Sequence, residues 1–333
     1  MEYGYSVSRD NVGNIIGHIG SGTPIILLCG HMDTIPIRLN FEQNNEIIFG
    51  RGAVDAKAAL AALIMAGKMV HETNFNGTLL VAAVVQEEGD NRGVKAIINA
   101  GLKSDYAIFG EPTNSSSISI GYKGRLVFSI TCLTSYGHSS APGIFRNAID
   151  EIIKLYFYLK KDLKKILEEK NDFTTLSLTI REIHGGKNIG ANPDKCKAVI
   201  ELRLPPKFNV KITENIIKEK IDRYSEENKE TLIEYDFIDG VDPILTNKNN
   251  LLIKGFSRTI YNKKKKTVSL LKKSGTSDMN YYGNFFETPI VTYGPGDPHL
   301  SHTNNEHIEI KEYLESIEIL KNTITYLGLN HNP

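Results

Sequence analysis

The sequence predicts an α/β fold in which a mostly parallel sheet with helices on both faces is interrupted by an inserted α+β, ferredoxin-like domain. Three observations predict it. Short apolar runs at Ile25–Cys29, Thr78–Val85 and Tyr106–Phe109 alternate with helical patterns, and strands covered on both faces read as unbroken apolar runs. Each run leads into a Gly-containing polar string, at the strand ends where an open α/β sheet gathers its ligands. From about Ser119 the pattern changes to a hairpin-like strand and amphipathic helices, and the first pattern resumes near Val241. The expected division is a discontinuous domain of residues 1–118 and 240–333 around an insertion of residues 119–239.

In chain order, Ile25–Cys29 runs into Gly30-His31-Met32-Asp33-Thr34. Side chains on extended backbone repeat every second residue, so His31 and Asp33 face the same way. Alone, such a pair is an ordinary hydrogen-bonded couple more often than a ligand site. The string Gly50-Arg51-Gly52-Ala53-Val54-Asp55-Ala56-Lys57 then puts Asp55 in a Gly-rich turn, at the start of a helix expected over Ala56–Met69. Thr78–Val85 leads into Gln86-Glu87-Glu88-Gly89, whose adjacent carboxylates repel unless a cation or proton separates them. Tyr106–Phe109 leads into Gly110-Glu111-Pro112-Thr113. The insertion reads as a strand from Gly121 to Ile130, a helix from Asn147 to about Glu169, and strands near Thr175–Ile183 and Lys197–Leu204. A helix over Thr213–Glu227 and a strand near Thr231–Phe237 complete its split βαβ pattern. Near the end, the run beginning at Ile290 passes through Gly294-Pro295-Gly296 to Ser301-His302-Thr303-Asn304-Asn305-Glu306.

Imidazole and carboxylate groups at these strand ends suit Zn²⁺ or a neighbouring divalent metal, and no cysteine lies in the polar strings to suggest a thiolate cluster. The physical reading is a dinuclear site. His31 serves one ion and His302 the other, Asp55 is shared, and Glu88 and Glu111 go one to each. Two ions roughly 3.5–4 Å apart polarise a carbonyl and activate water near neutral pH. Glu87, outside the ligand set, is the expected general base.

The strings GHMDT, GRGAVDAK, QEEG, GEPT, GHSSAP (137–142), GTSDMN (275–280), YGPG and SHTNNE follow one another over nearly the whole chain. In this the chain resembles the dinuclear-zinc hydrolases that include carboxypeptidase G, acetylornithine deacetylase and succinyl-diaminopimelate desuccinylase. The resemblance implies a phosphorylase/hydrolase-like catalytic domain, a lid domain that forms a homodimer, and two divalent ions, zinc before cobalt. It implies His31, Asp55, Glu88, Glu111 and His302 as ligands, Asp33 as the group holding the His31 ring, and Glu87 as the base. His138 resembles a histidine that reaches the partner subunit's site to stabilise an oxyanion. Asn192, Arg203, Gly275 and Thr276 resemble positions that grip the substrate's amino-acid carboxylate and backbone, a task that suits a guanidinium.

Within that family, GRGAVDAK, GTSDMN and TYGPG with HTN are most similar to LysW-lysine/LysW-ornithine hydrolases, which release lysine or ornithine from a small acidic carrier protein. The alternatives are a deacylase of the acetylornithine or succinyl-diaminopimelate type, a dipeptidase, and a catalytically silent scaffold that docks the carrier. The retained Glu87 and Asp33 weigh against a scaffold. Blander readings stay open for His138 as a loop residue, Arg203 as a structural salt bridge and Asp278 as a helix cap. Relative to the family, about one amphipathic helix is missing ahead of Glu2, and Ala58-Ala59 stand where relatives carry Gly-Pro. Both departures are expected to leave the chemistry intact, since no motif residue is lost.

The 333 residues are long enough for two domains. With 39 basic and 39 acidic side chains, the chain is neutral, which argues against nucleic acid as the main partner. Cys29, Cys132 and Cys196 read as small buried hydrophobes in a reducing compartment. No apolar run reaches the roughly 20 residues a bilayer span needs, and no signal peptide opens the chain, so a cytoplasmic enzyme without membrane contact is expected. Lys263–Lys266 and Lys272-Lys273 read first as solvated surface, and second as a docking patch for an acidic carrier. His18, His71, His184, His299 and His307 read as surface or loop residues.

Overall fold

The computed structural model describes residues 3–73, 75–138, 140, 144–166, 172–186 and 190–331. The chain forms two compact units, one of residues Met1–Gly121, Leu245–Lys272 and Ser277–Pro333, the other of Tyr122–Ile244 and Lys273–Thr276.

A nine-stranded sheet forms the centre of the first unit. Four strands in its middle, Gly77–Val84, Ile25–His31, Tyr106–Phe109 and Ile290–Thr292, run parallel. The sheet as a whole is mixed, which corrects the expectation of a mostly parallel one. Ser6–Arg9 and Ile15–Ser21 extend it antiparallel on one side, and Ser117–Tyr122 joins antiparallel on the other. The physical reason for the first departure is local: a short turn can join only antiparallel neighbours. That turn is built by Asp10, whose Oδ1 accepts from the amides of Val12, Gly13 and Asn14 at 3.0, 2.9 and 2.8 Å. Ser6–Arg9 is exposed throughout, so it carries no apolar signature.

Ile26 and Leu28 face a core shared with Leu63, Phe256, Leu320 and Ile324, from the helices Lys57–His71, Leu251–Lys264 and Ile310–Asn330. Leu27 and Cys29 point the other way and are equally buried. On the second face Phe109 meets Tyr282 of the helix Asp278–Phe286, ring centroids 5.6 Å apart. Coverage of both faces explains the unbroken apolar runs. Glycines at the ends of the parallel strands admit the start of Lys57–His71. A Cβ on Gly30 would lie 3.2 Å from Leu60 Cβ, one on Gly110 3.0 Å from Leu63 Cδ1, and one on Gly294 2.6 Å from Ala59 Cβ. This close approach seats the residues just before the helix among the strand ends. A small sheet of Glu42–Gln43, Ile47–Phe49 and His307–Glu309 draws the C-terminal loop alongside them.

The second unit is an antiparallel sheet in the spatial order Ser177–Gly185, Lys195–Leu204, Gly124–Leu133, Leu232–Val241. Its helices Ala148–Ile166 and Val210–Glu227 bury Ile152, Leu155, Ile217 and Ile221 against Leu126, Phe128, Ile200 and Leu202. The chain order strand-helix-strand-strand-helix-strand with this neighbour pattern is the split βαβ arrangement. The expected helix end near Glu169 lies outside the described residues. All three cysteines are buried thiols. Among the described residues, no helix is long and apolar enough to cross a membrane.

Candidate metal centre

The first unit brings His31, Asp55, Glu88 and His302 together at the carboxyl ends of its parallel strands. His31 ends Ile25–His31, Glu87 and Glu88 follow Gly77–Val84, Glu111 follows Tyr106–Phe109, and His302 follows Ile290–Thr292 and the 3₁₀ turn Pro298–Leu300. Asp55 lies between two imidazoles. Its Oδ1 is 3.3 Å from His31 Nε2, and its Oδ2 is 3.3 Å from His302 Nε2. Glu88 Oε1 is 2.7 Å from the same nitrogen of His302. Donor atoms of Asp55, Glu88 and His302 all lie within 4.8 Å of one another. Hard carboxylate oxygens with imidazole nitrogens, one carboxylate offering an oxygen to each side, fit divalent cations. Glu111 is near enough that its charge acts on both His31 and Glu87.

Asp33 meets the His31 ring through its backbone. The group that meets His31 Nδ1 is the Asp33 main-chain carbonyl, at 2.9 Å, while the carboxylate stands 3.7 Å off. A carbonyl only accepts, so Nδ1 donates to it, and the protonated Nε2 donates to Asp55 Oδ1, the side on which a bound ion would take that proton's place. The Asp33 carboxylate instead accepts from the amides of Glu87 at 3.2 Å and Glu88 at 3.1 Å. One residue thus orients the imidazole with its backbone and the Glu87-Glu88 turn with its side chain. That turn begins at Gln86, with φ 60°, and His302 has φ 63°. Left-handed backbone costs a non-glycine residue about 1–2 kcal/mol and persists where its surroundings hold it.

Three further residues support the site: Asn91 and Glu306, which the sequence alone does not single out, and Asp278, for which support of the site stood level with a helix cap. Asn91 donates from Nδ2 to the Glu87 carbonyl at 3.2 Å and to Asp278 Oδ1 at 3.1 Å, and its Oδ1 accepts from Tyr281 Oη at 3.2 Å. Asp278 is not the helix cap: Ser277 is, through its Oγ and the Met279 amide at 3.2 Å. That leaves the Asp278 carboxylate buried beside the cluster. Glu306 accepts three main-chain amides of the Asp55 loop. None of the three has a motif signature of its own, although Asp278 and Glu306 fall inside quoted strings.

The electrostatics are those of a site built for cations. Burial raises the Glu87 carboxyl well above the usual range, and the charges of Glu111 and Asp278 add to this. Burial, then the Asp55 charge, raise Glu88. Burial also pushes Asp278 up to about 7 despite the Asn91 hydrogen bond. His302 rises to about 9, chiefly through its hydrogen bond to Asp55 and then that to Glu88, against burial. Burial opposes the charged form of His31 and of Asp55, yet their neighbours overcome it: the hydrogen bond to Asp55 and then the charges of Glu87 and Glu111 raise His31, and the hydrogen bonds from His302 and then His31 lower Asp55. Protons on the imidazoles neutralise the carboxylates where cations would.

The remaining expected residues belong to the second unit. His138 is exposed, with Nδ1 2.9 Å from Ser140 Oγ, and residues 139 and 141–143 of its motif lie outside the described residues. Asn192 is buried and donates to the Phe145 carbonyl at 2.8 Å. Arg203 pairs with Glu201, Nε to Oε1 2.7 Å, and donates from Nη1 to Thr276 Oγ1 at 3.3 Å. Its salt bridge and its contact with the Thr276 motif therefore coexist. Gly275 has open space where a Cβ would stand. In the first unit, the lysine run is partly neutralised: Lys264 Nζ lies 2.6 Å from Glu315 Oε2, and Lys263 pairs with Glu318.

Residues 27–326 match the profile of peptidase family M20/M25/M40. A Pyrococcus abyssi protein provisionally named as a LysW-lysine/LysW-ornithine hydrolase is 33% identical over 327 residues, covering 98% of this chain and 85% of its own. The LysW-lysine/LysW-ornithine hydrolase of Sulfurisphaera tokodaii is 31% identical over 304 residues, 91% of this chain and 82% of its own. The aminopeptidase PepT of Bacillus cereus shares the fold with a TM-score of 0.79 at 21% identity, covering 98% of this chain and 90% of that one.

Proposed function

Since the chain belongs to peptidase family M20/M25/M40, whose members here are metal-dependent amide hydrolases, we propose that it releases lysine or ornithine from a carrier protein by cleaving the amide that joins them. The observation that carries the chemistry is the Asp55 carboxylate, one oxygen on the His31 side and one on the His302 side. The choice of substrate rests on the names borne by relatives that match along most of the chain.

In this reading His31, Asp55 and Glu111 hold one divalent ion and His302, Asp55 and Glu88 the other, zinc before cobalt. Bound there, the ions supply Lewis acidity toward the scissile carbonyl and bring water toward its nucleophilic form. Glu87 takes the proton of the attacking water and passes it to the departing amine, with its backbone held by Asp33 and Asn91. His138 stabilises the oxyanion from across a homodimer formed by the second unit, which also serves as a lid. Asn192, Arg203, Gly275 and Thr276 hold the amino-acid part of the substrate, Arg203 by its guanidinium.

The test is a metal-loaded assay against carrier-linked lysine, carrier-linked ornithine, N-acetylornithine and a dipeptide panel. Turnover of the carrier-linked forms at least tenfold above the others is expected. Preference for a free acyl amino acid or a dipeptide would refute the carrier assignment and leave the hydrolase chemistry standing.

A further inference from the structure

We propose that Glu306 is a positioning residue for the shared carboxylate: it fixes Asp55 by binding the main-chain amides of the Asp55 loop, and so ties that loop to the one carrying His302. This rests on reading Asp55 as the ligand common to two ions. The Glu306 side chain is fully buried. Its Oε1 accepts from the amides of Gly52 at 2.9 Å, Val54 at 3.0 Å and Asp55 at 2.9 Å. Its Oε2 meets Arg51 Nη1 at 2.5 Å, and its own carbonyl accepts from the Gly50 amide at 3.1 Å. Arg51 completes the tie by donating to the carbonyls of Thr303 at 3.1 Å and Ile37 at 2.9 Å.

Three amides from one short loop converge on a single oxygen only if the backbone curls around it, and such a concave nest of N–H groups favours an anion. Gly52 permits the curl with φ +88°, where a Cβ would meet Lys57 Cδ at 2.9 Å and Thr34 Cγ2 at 3.0 Å. The anion that fills the nest is a side chain placed four residues after His302. Asp55 lies 251 residues away in sequence, yet its amide nitrogen hangs on the loop that carries the opposing imidazole. Asp55 therefore presents its two oxygens to His31 and His302 from a backbone whose position is set by Glu306. A buried Arg-Glu pair serving stability alone needs only Oε2; the three contacts at Oε1 are surplus to it.

The experiment compares E306D and E306Q with wild type by competition against a chromophoric chelator and by the visible absorption of the Co²⁺-loaded protein. E306D keeps the charge but withdraws the carboxylate by one methylene from the amides. It is expected to weaken ion binding by about 10- to 100-fold, as loss of hydrogen bonds to a charged group does, and to shift the Co²⁺ bands. E306Q keeps an oxygen for the three amides and is expected to lose less, about 3- to 10-fold, because the contact it breaks, to Arg51, leaves the amides of the Asp55 loop bonded. E151Q, which removes a buried carboxylate paired with Arg146 and Lys154 in the second unit, lowers the melting temperature and leaves ion affinity unchanged. Ion binding within twofold of wild type in E306D or E306Q, or a larger loss in E306Q than in E306D, overturns the proposal; if E306D does not fold, E306Q alone decides it. A wild-type protein that takes up no divalent ion overturns the two-ion reading itself, and this proposal with it.

Discussion

Replacing Asp33 by Asn separates the two tasks that this residue performs. Its carboxylate accepts two amides, those of Glu87 and Glu88 at 3.2 and 3.1 Å. In D33N one oxygen becomes an NH₂ group, which faces a peptide N–H and cannot bond it. One hydrogen bond to a charged group is lost and one amide is left without its acceptor, together about 1.5–3 kcal/mol. If that cost falls on the position of Glu87 during proton transfer, kcat drops about 10- to 150-fold with KM little changed. The His31 ring stays anchored, because its Nδ1 donates to the Asp33 carbonyl at 2.9 Å, which the substitution preserves. Metal content at saturating metal, measured by atomic emission, should therefore match wild type. Steady-state kinetics on the metal-loaded protein with the metal measurement decide the matter. A wild-type kcat refutes the role of the carboxylate, and loss of the ion at His31 shows that the carboxylate, not the carbonyl, holds the ring.

E87Q should retain wild-type metal content and lose turnover by at least a thousandfold, on the order of what removing a general base costs; loss of metal in this variant would make Glu87 a ligand. Mixing H138A with E87Q protein should restore activity absent from either, since a heterodimer then holds one site with Glu87 from one subunit and His138 from its partner; no restoration places His138 in its own subunit's site or in none. His302 is raised to about 9 in the metal-free protein, chiefly by Asp55, so it is charged at pH 7.5 and must shed a proton to bind metal. Calorimetry in buffers of different ionisation enthalpy should record proton release at pH 7.5 that fades as pH rises through about 9. For the same reason, the His302 contribution to metal-free stability is full below about 6.5 and is lost as pH rises through about 9, and a melting temperature that climbs over that window would contradict it. K265E/K266E should raise KM for a carrier-linked substrate several-fold at low salt and leave KM for a small acyl amino acid unchanged; an unchanged KM for both removes the docking patch. Lys264 is a poorer choice, because its reversal sets two carboxylates against each other at Glu315.

The parallel strands, and the His and carboxylate residues that follow them, were legible because burial on both faces leaves an unbroken apolar run that leads directly into each polar string. The helix over Lys57–His71 and the split βαβ unit were legible for a similar reason, since periodicity is a local property of sequence. The antiparallel flanks were not. Ser6–Arg9 is exposed and short, and its direction is decided by a turn whose key feature is one carboxylate bonded to three amides.

By itself, then, the sequence determined which imidazoles and carboxylates follow which strands, since residue type and period are local properties. The tertiary structure alone decided which acceptor each residue uses. It gave His31 the backbone oxygen of Asp33 and gave the Asp33 carboxylate to the next strand's turn. It also filled the Gly52–Asp55 nest with Glu306 and put Asn91 between Glu87 and Asp278. Hydrogen bonds are short and directional, so whether a carboxylate grips a ring, an amide or a cation depends on differences below an ångström between segments far apart in the chain. Packing settles such differences, and a string of residue names does not encode them locally.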